Sequence, residues 1–449
     1  MTTPDTRFWE QLEIINDALP DGVRAVAGPE GAAEGSTRVL PEFAYLEGHI
    51  LVRAADAERA VSAVQRLQPG PDTVRMSWPA QTRQRDRIGV RRLSVGSRNA
   101  CRTVELLAGE DISAGLVHFV SVSGVNLCPG DEPIPSSGPL NPPISGRDRG
   151  ENVTVAVIDT GLVHDYLDHQ WLAQSAGVPN VPMVDGDVTA PGDELDANGL
   201  IKPYVGHGTF IAGVLRCVAP ATTVRVHNAF PYGGAAMEDE LGLILLQTMD
   251  VHGWPDIISL SAGTRTDSAA ALLGLADFMD ELAGHPGTVL VAAAGNDGET
   301  LPFWPAAYAA EPVNAAGDVV VSVGALREDG AGRACFSNHG DWVKVYAPGE
   351  RLVNAFTSGP YQYGYPHRTT CRFSDPSMYP ACTCIAPLQE GDKATFTGLA
   401  EWSGTSFSAP LVAGLIAARM SQEQVSSRVA AGQLVAGRLS VPDLSGFLR

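Results

Sequence analysis

Asp159, His207 and Ser406 each stand in a short segment punctuated by glycine. The segments are Val155-Ala156-Val157-Ile158-Asp159-Thr160-Gly161, Gly206-His207-Gly208-Thr209 and Gly404-Thr405-Ser406-Phe407-Ser408-Ala409-Pro410. A serine hydroxyl becomes a strong nucleophile only when an imidazole takes its proton, and that imidazole needs a carboxylate to fix its tautomer. Read in chain order, the segments supply an orienter (Asp159), a general base (His207) and a nucleophile (Ser406). The tetrahedral intermediate of such an attack also needs donors for its oxyanion. Asn296, at the end of Val291-Ala292-Ala293-Ala294-Gly295-Asn296, and the backbone N–H of Ser406 are the natural pair.

These groups must be positioned by secondary structure. Val153–Ile158, Thr223–His227, Ile257–Ser261, Thr288–Ala294 and Val319–Val323 are short, nearly all-apolar, β-branched runs. Helical patterns lie between several of them, such as Leu241, Ile244, Leu245 and Thr248, or Leu272, Leu273, Ala276, Met279 and Leu282. Buried strands alternating with amphipathic helices predict an α/β fold, doubly wound around a mostly parallel sheet. Sites in such sheets lie at the carboxyl ends of the strands, which is where the first run places Asp159. The apolar stretch after Ser406 predicts a helix that begins at the nucleophile, with Pro410 in its first turn.

The three segments and the run ending in Asn296 resemble the subtilisin-like serine peptidases, the subtilases, over roughly residues 150–420. The resemblance implies a serine endopeptidase acting through an acyl-enzyme, with the roles already given to Asp159, His207, Ser406 and Asn296. It also implies a substrate groove. Ser261, Ala262 and Gly263 match the segment that pairs with the substrate backbone and forms one wall of the S1 pocket; Ala293, Ala294 and Gly295 match the other wall. Gly298 to Tyr308 resembles the pocket floor, where Phe303 leaves less room than a glycine. The pattern departs at Phe407, where many members carry Met, a change expected to alter the leaving-group side. A second departure is an insert at about 358–398 that bears Cys371, Cys382 and Cys384.

No cofactor is required by this chemistry, and calcium is the cation the resemblance brings with it. The acidic residues Asp185, Asp187, Asp193, Glu194 and Asp196 admit three readings: a hard-cation site, a wall selecting basic substrate residues, or a solvated loop. His164 and His169 are not spaced as a one-face helical pair, so a solvated surface is the expectation. The three clustered cysteines with His367 could complete a thiolate metal site, though reduced thiols are the simpler reading.

At 449 residues, with 44% hydrophobic and 18% charged residues, the chain has material for more than one core. Residues 1–127 read as an α+β accessory domain or pro-domain similar to a subtilase propeptide, 128–151 as a linker with six prolines, and 152–449 as the peptidase domain. In the first unit, Phe8, Leu12, Ile15 and Leu19 recur at helical spacing, a helix is expected at about 55–67, and strands at His49–Val52, Ile88–Val95 and Val117–Val122. Its Arg83, Arg85, Arg87, Arg91, Arg92, Arg98 and Arg102 form a basic strip that either docks on the acidic remainder, holds an outside anion, or guards a solvated edge.

A net charge of -20 argues against nucleic acid as a partner. No run is apolar enough to cross a membrane and no signal peptide is visible at Met1–Arg7, so a cytoplasmic location is expected. The expected partner is a polypeptide substrate, with regulation through the N-terminal domain or the insert. A lone Asp-Thr-Gly also occurs in aspartic peptidases, but those need two such carboxylates. Two rival functions stand beside the endopeptidase: a catalytically silent peptide-binding scaffold, and a maturation peptidase that removes the leader from one modified peptide.

Overall fold

The computed structural model describes residues 6–34, 39–77, 87–122, 132–174, 183–310, 319–363 and 391–437. The N-terminal unit runs α1 (Thr6–Ala18), β1 (Ala25–Gly28), β2 (Phe43–Arg53), α2 (Ala57–Leu67), β3 (Arg75–Ser77), β4 (Val90–Ser94), α3 (Ala100–Ala108) and β5 (Ala114–Ser121). Its strands pair antiparallel in the order β5-β2-β4-β3, with β1 on β2. Helix α3 has no counterpart among the elements expected from sequence. Its start is set by Asn99, whose side chain accepts from the N–H of Arg102, and its apolar stripe is too short to announce a helix.

Residues 132–151 lie against the larger unit. β6 (Ile134–Pro135) adds to the edge of a later strand, and Asn141 exchanges two backbone hydrogen bonds with Val353. The larger unit then follows as β7 (Thr154–Asp159), α4 (Gln170–Ala173), β8 (Val184–Gly186), α5 (His207–Val218), β9 (Thr223–Asn228), β10 (Ala235–Met237), α6 (Glu238–His252), β11 (Ile257–Leu260), α7 (Ala276–Ala283), β12 (Val289–Ala293), β13 (Val320–Leu326), β14 (Val345–Pro348), β15 (Leu352–Gln362), β16 (Lys393–Trp402), α8 (Thr405–Glu423) and α9 (Ser427–Gly437).

Its central sheet has the order β14-β13-β12-β11-β7-β9-β8, every pair parallel. The alternation of side chains along each strand separates two cores. Val155 and Val157 of β7 pack with Val291, Val323 and helices α5, α8 and α9 on one face. Ala156 and Ile158 pack with Leu260, Leu290 and helices α6 and α7 on the other. The five inner strands are those predicted. The edge strands β8 and β14 carry Asp185 and Pro348, residue types that weaken a strand pattern and are tolerated at a sheet edge.

The two units share structure. β10 of the larger unit pairs antiparallel with β5, extending the N-terminal sheet, and Phe8, Leu12 and Ile15 of α1 share a core with Met237 and Leu243. The basic strip supplies much of the polar contact. Arg92 makes a bidentate pair with Asp239 (3.0 and 2.5 Å), both side chains nearly buried, and Arg87 reaches Asp250 and Glu281. Arg91 and Arg98 instead bond to neighbouring carbonyls, and Arg102 pairs with Glu105. Arg83 and Arg85 lie outside the described residues, as do Cys371, Cys382, Cys384 and His367 of the insert. Among the described residues, no helix is long and apolar enough to cross a membrane.

Candidate active site

Asp159 is the last residue of β7 and is fully buried. His207 is the first residue of α5, entered through Gly206 at φ 87°, a left-handed conformation that suits glycine. A Cβ on Gly208 would lie 2.4 Å from the carbonyl oxygen of Gly161, so the helix start can approach the loop after β7 only because a glycine stands there. That approach brings His207 Nδ1 to 2.7 Å from Asp159 Oδ1. A carboxylate only accepts, so Nδ1 carries the proton and Nε2 is left as the base. The same Oδ1 accepts from the N–H of Thr160 (2.8 Å) and from its hydroxyl (3.3 Å), which fixes the carboxylate plane.

The imidazole is packed between aromatic rings. Trp402 meets it edge-on and Phe407 lies tilted against it, both at 5.3 Å between ring centres. Phe407 also contacts Phe210 at 4.5 Å and is 1% exposed. Phe407 therefore packs directly against the imidazole. One step along α8 from Ser406 turns this side chain through about 100°, into the packing with α5, Trp402 and the imidazole.

Ser406 is the second residue of α8, so it sits where helical N–H groups have no intrahelical acceptor. Pro410 is the sixth residue of that helix rather than part of its first turn. Proline has no N–H, so the carbonyl of Ser406, four residues earlier, has no helical donor. The hydroxyl of Ser261, just beyond β11, donates to that carbonyl at 2.8 Å, while the Ser406 hydroxyl donates at 3.5 Å to the carbonyl of Ser261.

Asn296 lies three residues past β12. Its side-chain oxygen accepts from the N–H and the hydroxyl of Thr405, both at 2.9 Å, and the Thr405 hydroxyl also accepts from the N–H of Gly295 (3.0 Å). Pinning the oxygen settles which way the amide nitrogen points: a Cβ on Gly404 would lie 3.5 Å from Nδ2. Thr405 was not singled out from sequence, although its place inside Gly-Thr-Ser next to the nucleophile was the available signal. The structure thus gathers Asp159, His207, Ser406 and Asn296 at the carboxyl ends of β7 and β12 and the starts of α5 and α8.

The groove segments are also placed. Ser261–Gly263 continues β11 and Ala293–Gly295 ends β12, its parallel neighbour. Phe303 is buried between glycines of these two segments. Ser121, at the end of β5, exchanges two backbone hydrogen bonds with Gly263 (3.1 and 2.9 Å), and the N–H of Val122 donates to the carbonyl of Gly234 (2.9 Å). The end of the N-terminal sheet therefore lies along the segment Ser261–Gly263.

The carboxylates of the acidic loop go to separate partners. Asp185 pairs with Arg225, Asp187 accepts from the N–H of Asn228, Glu194 accepts from His164, and Asp196 folds its own turn with Asn198 and Leu200. They do not converge as a hard cation requires. Among the described residues, no group of three or more His, Cys, Asp and Glu is placed to hold a metal ion. His169 differs from the expected solvated surface: it is buried, with Nε2 3.1 Å from the carbonyl of Phe356. Burial lowers its pKa despite that hydrogen bond.

Comparison with known proteins follows the same outline. The family model described as the subtilase family matches residues 150–435. The thermophilic serine proteinase of Bacillus sp. (strain AK1) is 29% identical over 229 residues, which covers 46% of this chain and 47% of that protein. Subtilisin-like protease 2 of Arthroderma otae is 26% identical over 327 residues, covering 70% of this chain and 60% of that one. The chain spans about half the length of the curated relatives it matches. Among solved structures, fervidolysin from Fervidobacterium pennivorans is 18% identical, covers 86% of this chain and 56% of that one, and superposes with a TM-score of 0.49.

Proposed function

The chain belongs to the subtilase family, and from that premise we propose that it is a serine endopeptidase. Ser406 attacks the peptide carbonyl, His207 takes the hydroxyl proton and returns it to the leaving amine, and Asp159 stabilises the imidazolium. Asn296 and the N–H of Ser406 receive the oxyanion. Water then hydrolyses the acyl-enzyme by the same route in reverse. The observation that carries this reading is the buried 2.7 Å bond between Asp159 and His207, together with Ser406 in the first turn of α8 next to Thr405, which orients the amide of Asn296. All four roles are filled by the chain's own groups, so no cofactor enters any step.

The N-terminal unit, in this reading, is an inhibitory domain whose last strand lies where substrate must bind. Its support is the Ser121–Gly263 pairing and the buried Arg92–Asp239 contact. The polypeptide substrate is accepted after this strand withdraws or is cut free.

Labelling with a fluorophosphonate probe tests the proposal. Wild-type protein, incubated until its intact mass is constant, is expected to label, and Ser406→Ala is not. Absence of labelling in the wild type would leave the silent-scaffold reading in possession. A fragment pair cut between residues 122 and 151 in the wild type, absent from Ser406→Ala, is the expected sign that the N-terminal unit is removed by the enzyme itself.

A further inference from the structure

The pairing of Ser121 with Gly263 fixes the register of any polypeptide lying in the place of Phe119–Val122. In an antiparallel pair, a step forward on one strand matches a step back on the other. The substrate residue two positions beyond the one at Ser121 is therefore opposite Ser261. Ser261 is the residue that touches the nucleophile in both directions, through its carbonyl at 3.5 Å and its hydroxyl at 2.8 Å. The carbonyl presented to Ser406 thus belongs to the substrate residue opposite Ser261. With that carbonyl turned toward Asn296, its side chain enters the gap between the neighbouring segments Ser261–Gly263 and Ala293–Gly295.

An aromatic ring already occupies that gap. A Cβ on Gly263 would fall 2.2 Å from Phe303 Cε1, and one on Gly295 would fall 2.9 Å from Phe303 Cδ1. The same edge of the ring therefore rests on both segments, each contributing a glycine at the contact. The ring cannot swing clear cheaply. Its neighbour Trp304 exchanges two backbone hydrogen bonds with Thr264 (2.9 and 2.8 Å), and Phe303 is 5% exposed within the core shared with Ala262, Ala292 and Ala294. A substrate side chain of aromatic or branched aliphatic size would have to displace a packed ring.

Resting on the peptidase reading, we infer that Phe303 limits the residue on the acyl side of the scissile bond to a small one: glycine, alanine or serine. The chain's own sequence carries such a residue, Ser123, two positions beyond Ser121.

The test begins with wild-type protein incubated to constant mass and titrated with a fluorophosphonate, so that rates are expressed per active serine. It is then given a mixed peptide library and a matched peptide series that differs only at the acyl-side residue. Cleavage after Ala is expected to exceed cleavage after Phe by about 100-fold in kcat/KM. Phe303→Ala should raise the ratio of cleavage after Phe to cleavage after Ala by about 30-fold. Phe303→Leu keeps apolar packing while trimming the ring, and it should shift the preference toward intermediate residues such as Val. Wild-type cleavage after Phe, Tyr or Leu at the rate found after Ala would overturn the inference, whatever the variants do. So would an unmoved preference in a Phe303→Ala protein that labels normally. A wild-type protein that never labels removes the peptidase reading itself, and this inference with it.

Discussion

The hydroxyl of Ser261 donates a 2.8 Å hydrogen bond to the carbonyl of Ser406, the one helical carbonyl whose usual donor is missing because Pro410 stands four residues on. A side chain from the end of β11 thus replaces a helical bond under the nucleophile. The substitution ties the position of Ser406 to the segment Ser261–Gly263, the proposed substrate wall.

Removing that hydroxyl should loosen the serine without changing what the groove binds. Ser261→Ala is expected to lower kcat by about tenfold, the cost of an unsatisfied buried carbonyl, with KM nearly constant. Adding Pro410→Ala returns a backbone N–H to the same carbonyl, so the double variant should recover part of the loss. Steady-state kinetics of the two single variants and the double one measures the coupling; simple additivity would show that the two groups do not serve the same carbonyl.

The oxyanion site makes a separate demand. Asn296→Ala should reduce kcat by about 10²–10³-fold at constant KM, because the lost donor acts mainly in the transition state. Thr405→Val removes the hydroxyl that holds the Asn296 oxygen and donates no substitute, so it should reproduce a fraction of that loss. An effect of Thr405→Val on KM alone would contradict its role in orienting the amide.

The buried ion pair between the units predicts an asymmetric result. Arg92 and Asp239 are 7% and 5% exposed at their side chains. Deleting one partner leaves the other charge buried, so Arg92→Ala should destabilise the full chain by about 3–5 kcal/mol. Replacing both, as in Arg92→Met with Asp239→Leu, should cost much less. Urea unfolding of the Ser406→Ala background, which cannot digest itself, reports both values.

His118 adds a dependence on pH. It is buried at the same interface, with Nδ1 2.8 Å from Glu238 and Nε2 3.4 Å from Asp267, and Phe43 is the ring against it. Burial alone would lower its pKa, but hydrogen bonds and charges from Asp267 and Glu238 outweigh burial and raise it to about 9. The folded value lies above the ordinary 6.5, so this stabilisation is complete below pH 6.5 and lost as pH rises through about 9. Thermal unfolding of Ser406→Ala should show that decline, and His118→Gln should flatten it.

Much of this protein was legible in local sequence. Val155 and Val157 alternate with Ala156 and Ile158 because a buried parallel strand faces two cores, and that pattern announced β7 with Asp159 at its end. Gly206, Gly208 and Gly404 marked the places where backbone must approach closely, so Asp159, His207, Ser406 and Asn296 could be proposed as one site. Ser261, Gly263 and Phe303 were placed in the groove only through resemblance, since nothing in their own spacing signals a wall.

The tertiary structure decided what no local pattern encodes. Pro410 read as a first-turn residue, and only packing revealed Ser261 filling the bond it vacates. Phe407 stood out only as a departure from the family pattern, and packing alone shows its ring against His207, Phe210 and Trp402. Arg92 was one arginine among seven until β4 set it against Asp239. Periodicity and glycine placement follow from backbone sterics within a few residues, which is why sequence alone determined the strands and pointed to Asp159, His207, Ser406 and Asn296 at strand and helix ends. Contacts such as Ser121 with Gly263, 142 positions apart, depend on how whole sheets meet, and only the folded chain brings their partners together.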